Sequence, residues 1–277
     1  MNDYTVTVFG ATGKTGRHVA ELATERGWTV RAAGRRPAAH GKTVPFDWDD
    51  ETTWTSAAAG AQAAYVLIPF NHPGAPERTP DLLRAVAAAG VERVVLLSSL
   101  DVDSADADSP LCVSERTLAE LPVKSAVLRP TWFLDNFTLG SFSGMTQAGE
   151  IRLPCGEGRI PFVAAVDIAA VAVAAMGPDA ATGPLPITGP ESVTHHEVAA
   201  ALAEATGRPV SYTPVTADEF VDLMCARGFS EDYGRFLADA LTDVATGTLR
   251  IPVHDTVPRL TGRRALDVTE FARRFAA

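Results

Sequence analysis

The chain has 277 residues, 46% of them apolar and 21% charged, and at roughly 150 residues per domain that makes one large or two small globular units. This composition excludes general disorder and a small disulfide-stapled fold. The formal net charge of −10 argues against a protein whose main work is gripping a nucleic-acid backbone or an anionic membrane, both of which want a basic face.

The opening residues run straight into a strand-like segment, with no basic and apolar leader. Residues 5–9 form a short β-rich run, followed by a glycine-rich turn and a helical pattern over 15–26 that Gly27 stops. A second run, 29–33, closes on Gly34-Arg35-Arg36-Pro37, and a third, 44–46, precedes Asp47-Trp48. Residues 64–68 form a fourth run ended by Pro69, and a helix over 82–89 stops at Gly90. Runs at 94–97 and 126–128 complete the strands visible in the sequence. Strands separated by helix-length segments predict βαβ units and a parallel sheet.

Beyond residue 149 the pattern is less regular. Pro and Gly punctuate 149–161 and 177–190, which read as loops or short strand connections. Between them Asp167 is expected to cap a helix running to Met176, and its charge breaks the longest apolar stretch, 160–176, short of the roughly 18 residues a membrane span needs. Thr194-His195-His196-Glu197 and Thr216-Ala217-Asp218-Glu219 both fit the capping box, each followed by a helix, the first ended by Gly207 and the second by Gly228. His195 and His196 are neighbours in a helix and do not share a face, so they are not expected to ligate a metal. Cys112, Cys155 and Cys225, with no Cys-x-x-Cys pair, read as reduced thiols in a cytoplasmic protein rather than zinc ligands.

The most informative motif is Gly10-Ala11-Thr12-Gly13-Lys14-Thr15-Gly16, lying between the first strand and the first helix. Gly-x-x-Gly-x-x-Gly lets the backbone turn tightly against a pyrophosphate and aims the helix N-terminus at it. A P-loop needs glycine where Val8 stands, so that reading fails. The expected ligand is a dinucleotide held by Gly10, Thr12, Gly13, Lys14, Thr15 and Gly16. At the end of the second strand an NAD site usually offers an acidic residue to the ribose 2′-hydroxyl. Here Arg35 and Arg36 stand instead, and two guanidinium groups suit the 2′-phosphate of NADP. A solvated basic loop is the structural alternative.

Asp47 and Trp48, at the end of the third strand, are expected near the adenine, with core packing the alternative for Trp48. Ligands of an open parallel sheet lie beyond the carboxyl ends of its strands. Ile68, Pro69 and Ser98 are therefore expected beside the nicotinamide. Phe70, Trp132, Phe133 and Phe137 are expected to build an aromatic substrate pocket, joined by Asn136, with plain core packing the alternative for each ring. Ser99 and Asp101 are the catalytic candidates, Ser99 as a hydrogen-bond donor and Asp101, with Asp135 beside it in this role, as a carboxylate just beyond a strand end that would attract a cationic acceptor. Loop solvation or helix capping is the alternative for such a carboxylate. The organisation expected is α/β: a doubly wound Rossmann domain over 1–150, and a smaller mixed substrate-binding region over 151–277 packed on it within one globular unit.

Together, Gly-Ala-Thr-Gly-Lys-Thr-Gly, Leu97-Ser98-Ser99 and Leu128-Arg129-Pro130-Thr131-Trp132-Phe133-Leu134-Asp135-Asn136-Phe137 resemble the NmrA-like branch of the atypical short-chain dehydrogenases. Phe46-Asp47-Trp48 with Thr53-Trp54, and Gly158-Arg159-Ile160-Pro161-Phe162 with Asp167-Ile168-Ala169, look most like its clavine-alkaloid reductases, the agroclavine and festuclavine dehydrogenase group. The resemblance covers about residues 4–190 well and the remainder loosely. It implies NADPH-dependent reduction of an iminium in secondary metabolism. More distantly the chain is similar to bacterial quinone reductases and triphenylmethane-dye reductases.

Ordinary short-chain dehydrogenases use Tyr-x-x-x-Lys to give a proton to a carbonyl oxygen. This chain has only Lys14, Lys42 and Lys124, none of them four residues after a tyrosine, and Leu111-Cys112-Val113-Ser114-Glu115-Arg116 falls where that helix is expected. Carbonyl reduction develops an oxyanion that needs such a donor, whereas hydride addition to an iminium cancels a charge and needs no proton. The expectation is an NADPH-dependent reductase of a small imine, iminium or similar electrophile, a monomer or homodimer without nucleic-acid or membrane partners. The alternatives are a quinone or enone reductase on the same fold, and a non-catalytic NAD(P) redox sensor.

Overall fold

The computed structural model describes residues 4–70 and 72–276. In chain order the strands are β1 (Thr5–Phe9), β2 (Thr29–Ala33), β3 (Lys42–Val44), β4 (Ala63–Leu67), β5 (Arg93–Leu97), β6 (Lys124–Pro130), β7 (Glu150–Leu153), β8 (Arg159–Ile160), β9 (Gly183–Ile187), β10 (Val193–Thr194) and β11 (Ser211–Pro214). The helices are α1 (Gly16–Glu25), α2 (Trp54–Ala58), α3 (Ala75–Ala88), α4 (Pro110–Glu120), α5 (Ser143–Gln147), α6 (Ala165–Ala175), α7 (His195–Thr206), α8 (Ala217–Cys225), α9 (Glu231–Thr246), α10 (Thr256–Thr261) and α11 (Val268–Ala276). None of the described helices is long and apolar enough to cross a membrane.

The chain forms two compact units. The first comprises the chain up to Pro130 with Ala165–Ile187 and Asp255–Arg264. Its seven strands lie in the order β3-β2-β1-β4-β5-β6-β9, every neighbouring pair parallel. The chain builds outward from β1 to β3, returns, and builds the other way from β4, so the order reverses between β1 and β4. That is the topology of a doubly wound Rossmann sheet, whose ligand crevice opens at the reversal.

Strands covered on both faces need apolar residues at consecutive positions, and Val94, Val95 and Leu96 of β5 are all fully buried. On one face Phe9, Trp54, Leu82, Val94 and Leu118 share a core that takes in α2, α3 and α4. Helix α1 buries Gly16, Val19, Ala20 and Ala23 along one stripe and packs on α6, the spacing of an amphipathic helix.

Three elements of this unit differ from the sequence expectation. Helix α3 begins at Ala75 rather than near residue 82, with Pro76 in its first turn and Pro80 within it; proline at the start costs no helical hydrogen bond, and Pro80 gives up one. Residues 177–190 contain a full strand, β9, paired with β6 at the sheet edge. Its Pro184 and Pro186 hid it, because proline is tolerated in a sheet only where one side of the strand is unpaired. Asp167 is not a cap. Helix α6 starts two residues earlier, and Asp167 lies in its first turn, fully buried with Arg263 Nη1 at 2.6 Å from its Oδ1.

The second unit comprises Thr131–Ala164, Thr188–His254 and the chain from Ala265. It carries two small sheets, β7 with β11 in parallel and β8 with β10 antiparallel. Helix α7 packs on α11, and α8 on α9, around a core that includes Phe142, Phe162, Phe220 and Leu241. Both expected capping boxes are present: the Thr194 hydroxyl accepts from the Glu197 N–H and Thr216 from that of Glu219, with each glutamate reaching back. His196 is turned outward to Glu157 at 3.2 Å, whereas His195 is fully buried.

Candidate functional site

The turn after β1 is closed by the Gly13 N–H donating to the Gly10 carbonyl at 2.8 Å. Gly10 has φ of 70°, in the left-handed region that glycine adopts without strain. A Cβ on Gly16 would lie 2.2 Å from the Gly10 oxygen, so only glycine lets α1 start this close to the strand. Thr12 and Gly13 are exposed at the tip, Lys14 is half-buried and Thr15 is buried. Thr15 is held from below by Tyr65 of β4, whose hydroxyl donates to its Oγ1 at 2.7 Å. Burial raises the Tyr65 phenol well above its ordinary value, so it stays neutral. In the sequence the one signal of Tyr65 is a polar tip inside a buried strand run.

Beyond β2, Arg35 and Arg36 are both exposed. Arg35 keeps 67% of its side chain in solvent and stands 3.8 Å from the Asp47 carboxylate, a loose pair that an anion can displace. The Asp47 turn is itself anchored, its carbonyl accepting the Trp54 indole N–H at 2.8 Å. Trp48 is half-buried and meets Phe46 edge-on at 5.3 Å, so at least one face of it belongs to the core. A glycine turn that no side chain can fill and two solvent-facing guanidinium groups at the next strand end fit a dinucleotide carrying a 2′-phosphate.

At the end of β4, Ile68 and Pro69 are buried and Phe70 is 47% exposed. The end of β5 carries a cluster of hydrogen-bonded polar side chains. The buried Ser98 hydroxyl donates to Glu115 Oε1 on α4 at 2.5 Å. Glu115 also receives Arg129 of β6, through Nη2 at 2.5 Å and through Nε at 3.2 Å to each oxygen. Arg129 Nη1 continues to Asp103 at 3.1 Å, in the short 3₁₀ turn Leu100–Ser104. Ser99 caps that turn and donates to Asp101 Oδ2 at 2.9 Å. Burial raises the Asp101 carboxyl above the ordinary range, and the Ser99 hydrogen bond partly opposes it. Ser98, Ser99 and Asp101 all stand at the end of β5, with the Ser99 proton directed to Asp101 rather than left to donate outward. The sequence pattern does not single out Glu115 and Arg129, because nothing local signals that the two face each other across α4 and β6.

Trp132, Phe133, Asn136 and Phe137 belong to the second unit. Trp132 stacks on Phe142 at 6.4 Å between centroids, and its indole N–H is buried with no partner among the described residues. Phe133 pairs with Val163 in an isolated bridge, and Asn136 is half-buried. Phe137 is fully buried, packed against Phe142, Phe162 and His195.

The family model for the NmrA-like family matches residues 2–242. The NAD(P)H azoreductase of Xenophilus azovorans is 31% identical, the match covering 98% of each chain. The agroclavine dehydrogenase of Claviceps fusiformis is 28% identical over 96% of each chain. Among solved structures, the NADPH-dependent quinone oxidoreductase of Escherichia coli in complex with NADPH superposes with a TM-score of 0.81 at 23% identity, covering 98% of this chain and all of its own. That last likeness is one of fold.

Proposed function

This chain belongs to the NmrA-like family, and from that premise we propose that it is an NADPH-dependent reductase delivering hydride to a small imine or iminium. The observation that carries the reading is the polar end of β5. There the adjoining helix α4 brings Glu115 rather than a phenol and lysine, and Asp101 is a half-buried carboxylate in the turn beyond the strand. Support for the cofactor comes from the Gly10–Gly16 turn, Arg35 and Arg36, and from relatives named for NAD(P)H-dependent or dehydrogenase activity.

In this reading the backbone of the glycine turn holds the pyrophosphate, and Arg35 and Arg36 hold the 2′-phosphate while Asp47 yields Arg35 to it. Bound NADPH supplies the hydride. Asp101 draws a cationic acceptor to the end of β5. As the carbon of the C=N bond gains hydride, the π pair passes to nitrogen and the positive charge disappears, so no side chain has to give a proton. Of the residues expected around the substrate, Phe70 stands exposed at the end of β4, and Phe137 belongs to the core of the second unit.

A second reading, reduction of a quinone or enone, is favoured by one observation: burial raises the Asp101 carboxyl, which would help it lend a proton. The deciding experiment is NADPH oxidation by purified protein across cyclic iminiums, quinones, azo compounds and ketones, with NADH alongside. Turnover of iminiums with little on ketones supports the first reading. Turnover of quinones alone supports the second, and tight NADPH binding with no turnover overturns both.

A further inference from the structure

Two consecutive serines follow β5, and the hydroxyl proton of each is committed. Ser98 donates to Glu115 Oε1 at 2.5 Å and Ser99 to Asp101 Oδ2 at 2.9 Å. The direction of the Ser98 bond is not a matter of choice. Glu115 takes the Arg129 guanidinium on both oxygens, and a carboxylate held in that way only accepts. The Glu115 side chain is 12% exposed, so water competes little for it. A hydroxyl has one proton and two lone pairs; with its proton spent, Ser98 has only acceptor capacity left.

Resting on the reductase reading, we infer that Glu115 and Arg129 set the hydrogen-bond polarity at the end of β5, so that the site selects a protonated imine that keeps its N–H over an N-alkylated iminium or a carbonyl. A carbonyl oxygen brought to this strand end sets lone pairs against lone pairs, and the mismatch grows as negative charge develops on it. An iminium N–H instead finds the Ser98 oxygen as its acceptor. Glu115 and Arg129 need not touch substrate; they are positioning residues acting through Ser98.

The test compares a cyclic imine that is protonated at assay pH, its N-methyl iminium salt and the ring-matched ketone, each by kcat/KM with NADPH. Alongside, the affinities of the corresponding secondary and quaternary ammonium ions are measured by calorimetry in the presence of NADP. A charge-assisted hydrogen bond gives the N–H compound about a ten- to hundredfold advantage, in binding as well as in turnover. In Ser98→Ala that advantage should fall to near parity; a preference due only to the bulk of the extra methyl would survive this change. In Glu115→Gln, Arg129 holds the amide oxygen and the amide NH₂ turns to Ser98, freeing the serine proton. The N–H advantage should shrink and ketone turnover rise relative to imine. Equal handling of the N–H and N-methyl compounds by the wild type, or an advantage that persists in Ser98→Ala, overturns the polarity inference and leaves the iminium reading standing. Failure of both cations to bind or react, with turnover of quinones, overturns the two together.

Discussion

Tyr65 reaches from the middle of β4 to donate its hydroxyl proton to Thr15 Oγ1 at 2.7 Å, tying the glycine turn to the neighbouring strand from inside the core. The two residues are fifty positions apart and sit on either side of the point where strand order reverses. Tyr65→Phe keeps the ring and removes the tie, leaving the buried Thr15 hydroxyl without that donor. A loss of about 1 kcal/mol is expected, read as a lower urea midpoint with an unchanged slope. An unchanged midpoint would mean that the turn holds itself.

Arg35→Ala should weaken NADPH binding about tenfold or more while leaving NADH binding nearly unchanged, since only the 2′-phosphate needs a guanidinium partner. Titration of both dinucleotides by fluorescence checks this. Equal losses for the two would show that Arg35 serves the adenine or the fold, and Arg36→Ala would then be the variant to follow.

His195 makes the second unit sensitive to acid. Its ring is fully buried among Phe137, Phe162 and Tyr212, with neither nitrogen hydrogen-bonded among the described residues. Burial, and secondarily the charge of His196, hold its pKa down at about 3 against an ordinary 6.5. The unfolded chain takes up this proton below pH 6.5 and the folded chain does not until about pH 3. Stability is therefore full above the upper value and falls between the two by at most roughly 1.4 kcal/mol per pH unit. His195→Phe should flatten the fall in melting temperature between pH 6.5 and 4 relative to the wild type. Parallel curves for the two proteins would assign the acid sensitivity to other groups.

Asp101→Asn should slow reduction of a cationic acceptor several-fold more than that of a neutral one. Because burial raises the Asp101 carboxyl, its charge is lost on acidification sooner than that of an ordinary carboxylate. The wild-type preference for a cation should therefore weaken as pH falls, starting above the usual carboxylate range, and the asparagine variant should show no such trend. Kinetics with one cationic and one neutral acceptor over pH 4–8 decide it. A preference that does not change with pH would remove Asp101 from the electrostatics of the site.

What could be read from the chain alone follows from how local each signal is. Gly10, Gly13 and Gly16 announce their backbone geometry by spacing, and the strand and helix on either side confirm it. Thr194 with Glu197 and Thr216 with Glu219 complete their capping boxes within four residues, so they too were legible. Pro184 and Pro186 concealed β9 because their tolerance depends on a neighbour strand from far up the chain. Glu115 and Arg129 stood in plain sight as residue types, but their partnership is made by the packing of α4 against β6, and no periodicity reports it. Asp167 reads as a helix cap in the sequence because its partner Arg263 comes from just beyond α10, almost a hundred residues later.

The prolines of β9 also bear on assembly. In an extended strand alternate residues point their N–H groups to the same side, and Pro184 and Pro186 have none to offer. The opposite register is what bonds β6, so the outer rim of the sheet is stripped of donors. A further strand arriving there would meet carbonyls but no donors on Pro184 and Pro186, and so would form only half a ladder, whether it came from a second copy of this chain or from an aggregating neighbour. A dimer that uses this rim must form by docking side chains rather than by joining two sheets, and during folding the sheet is protected on that side from being extended by its own kind.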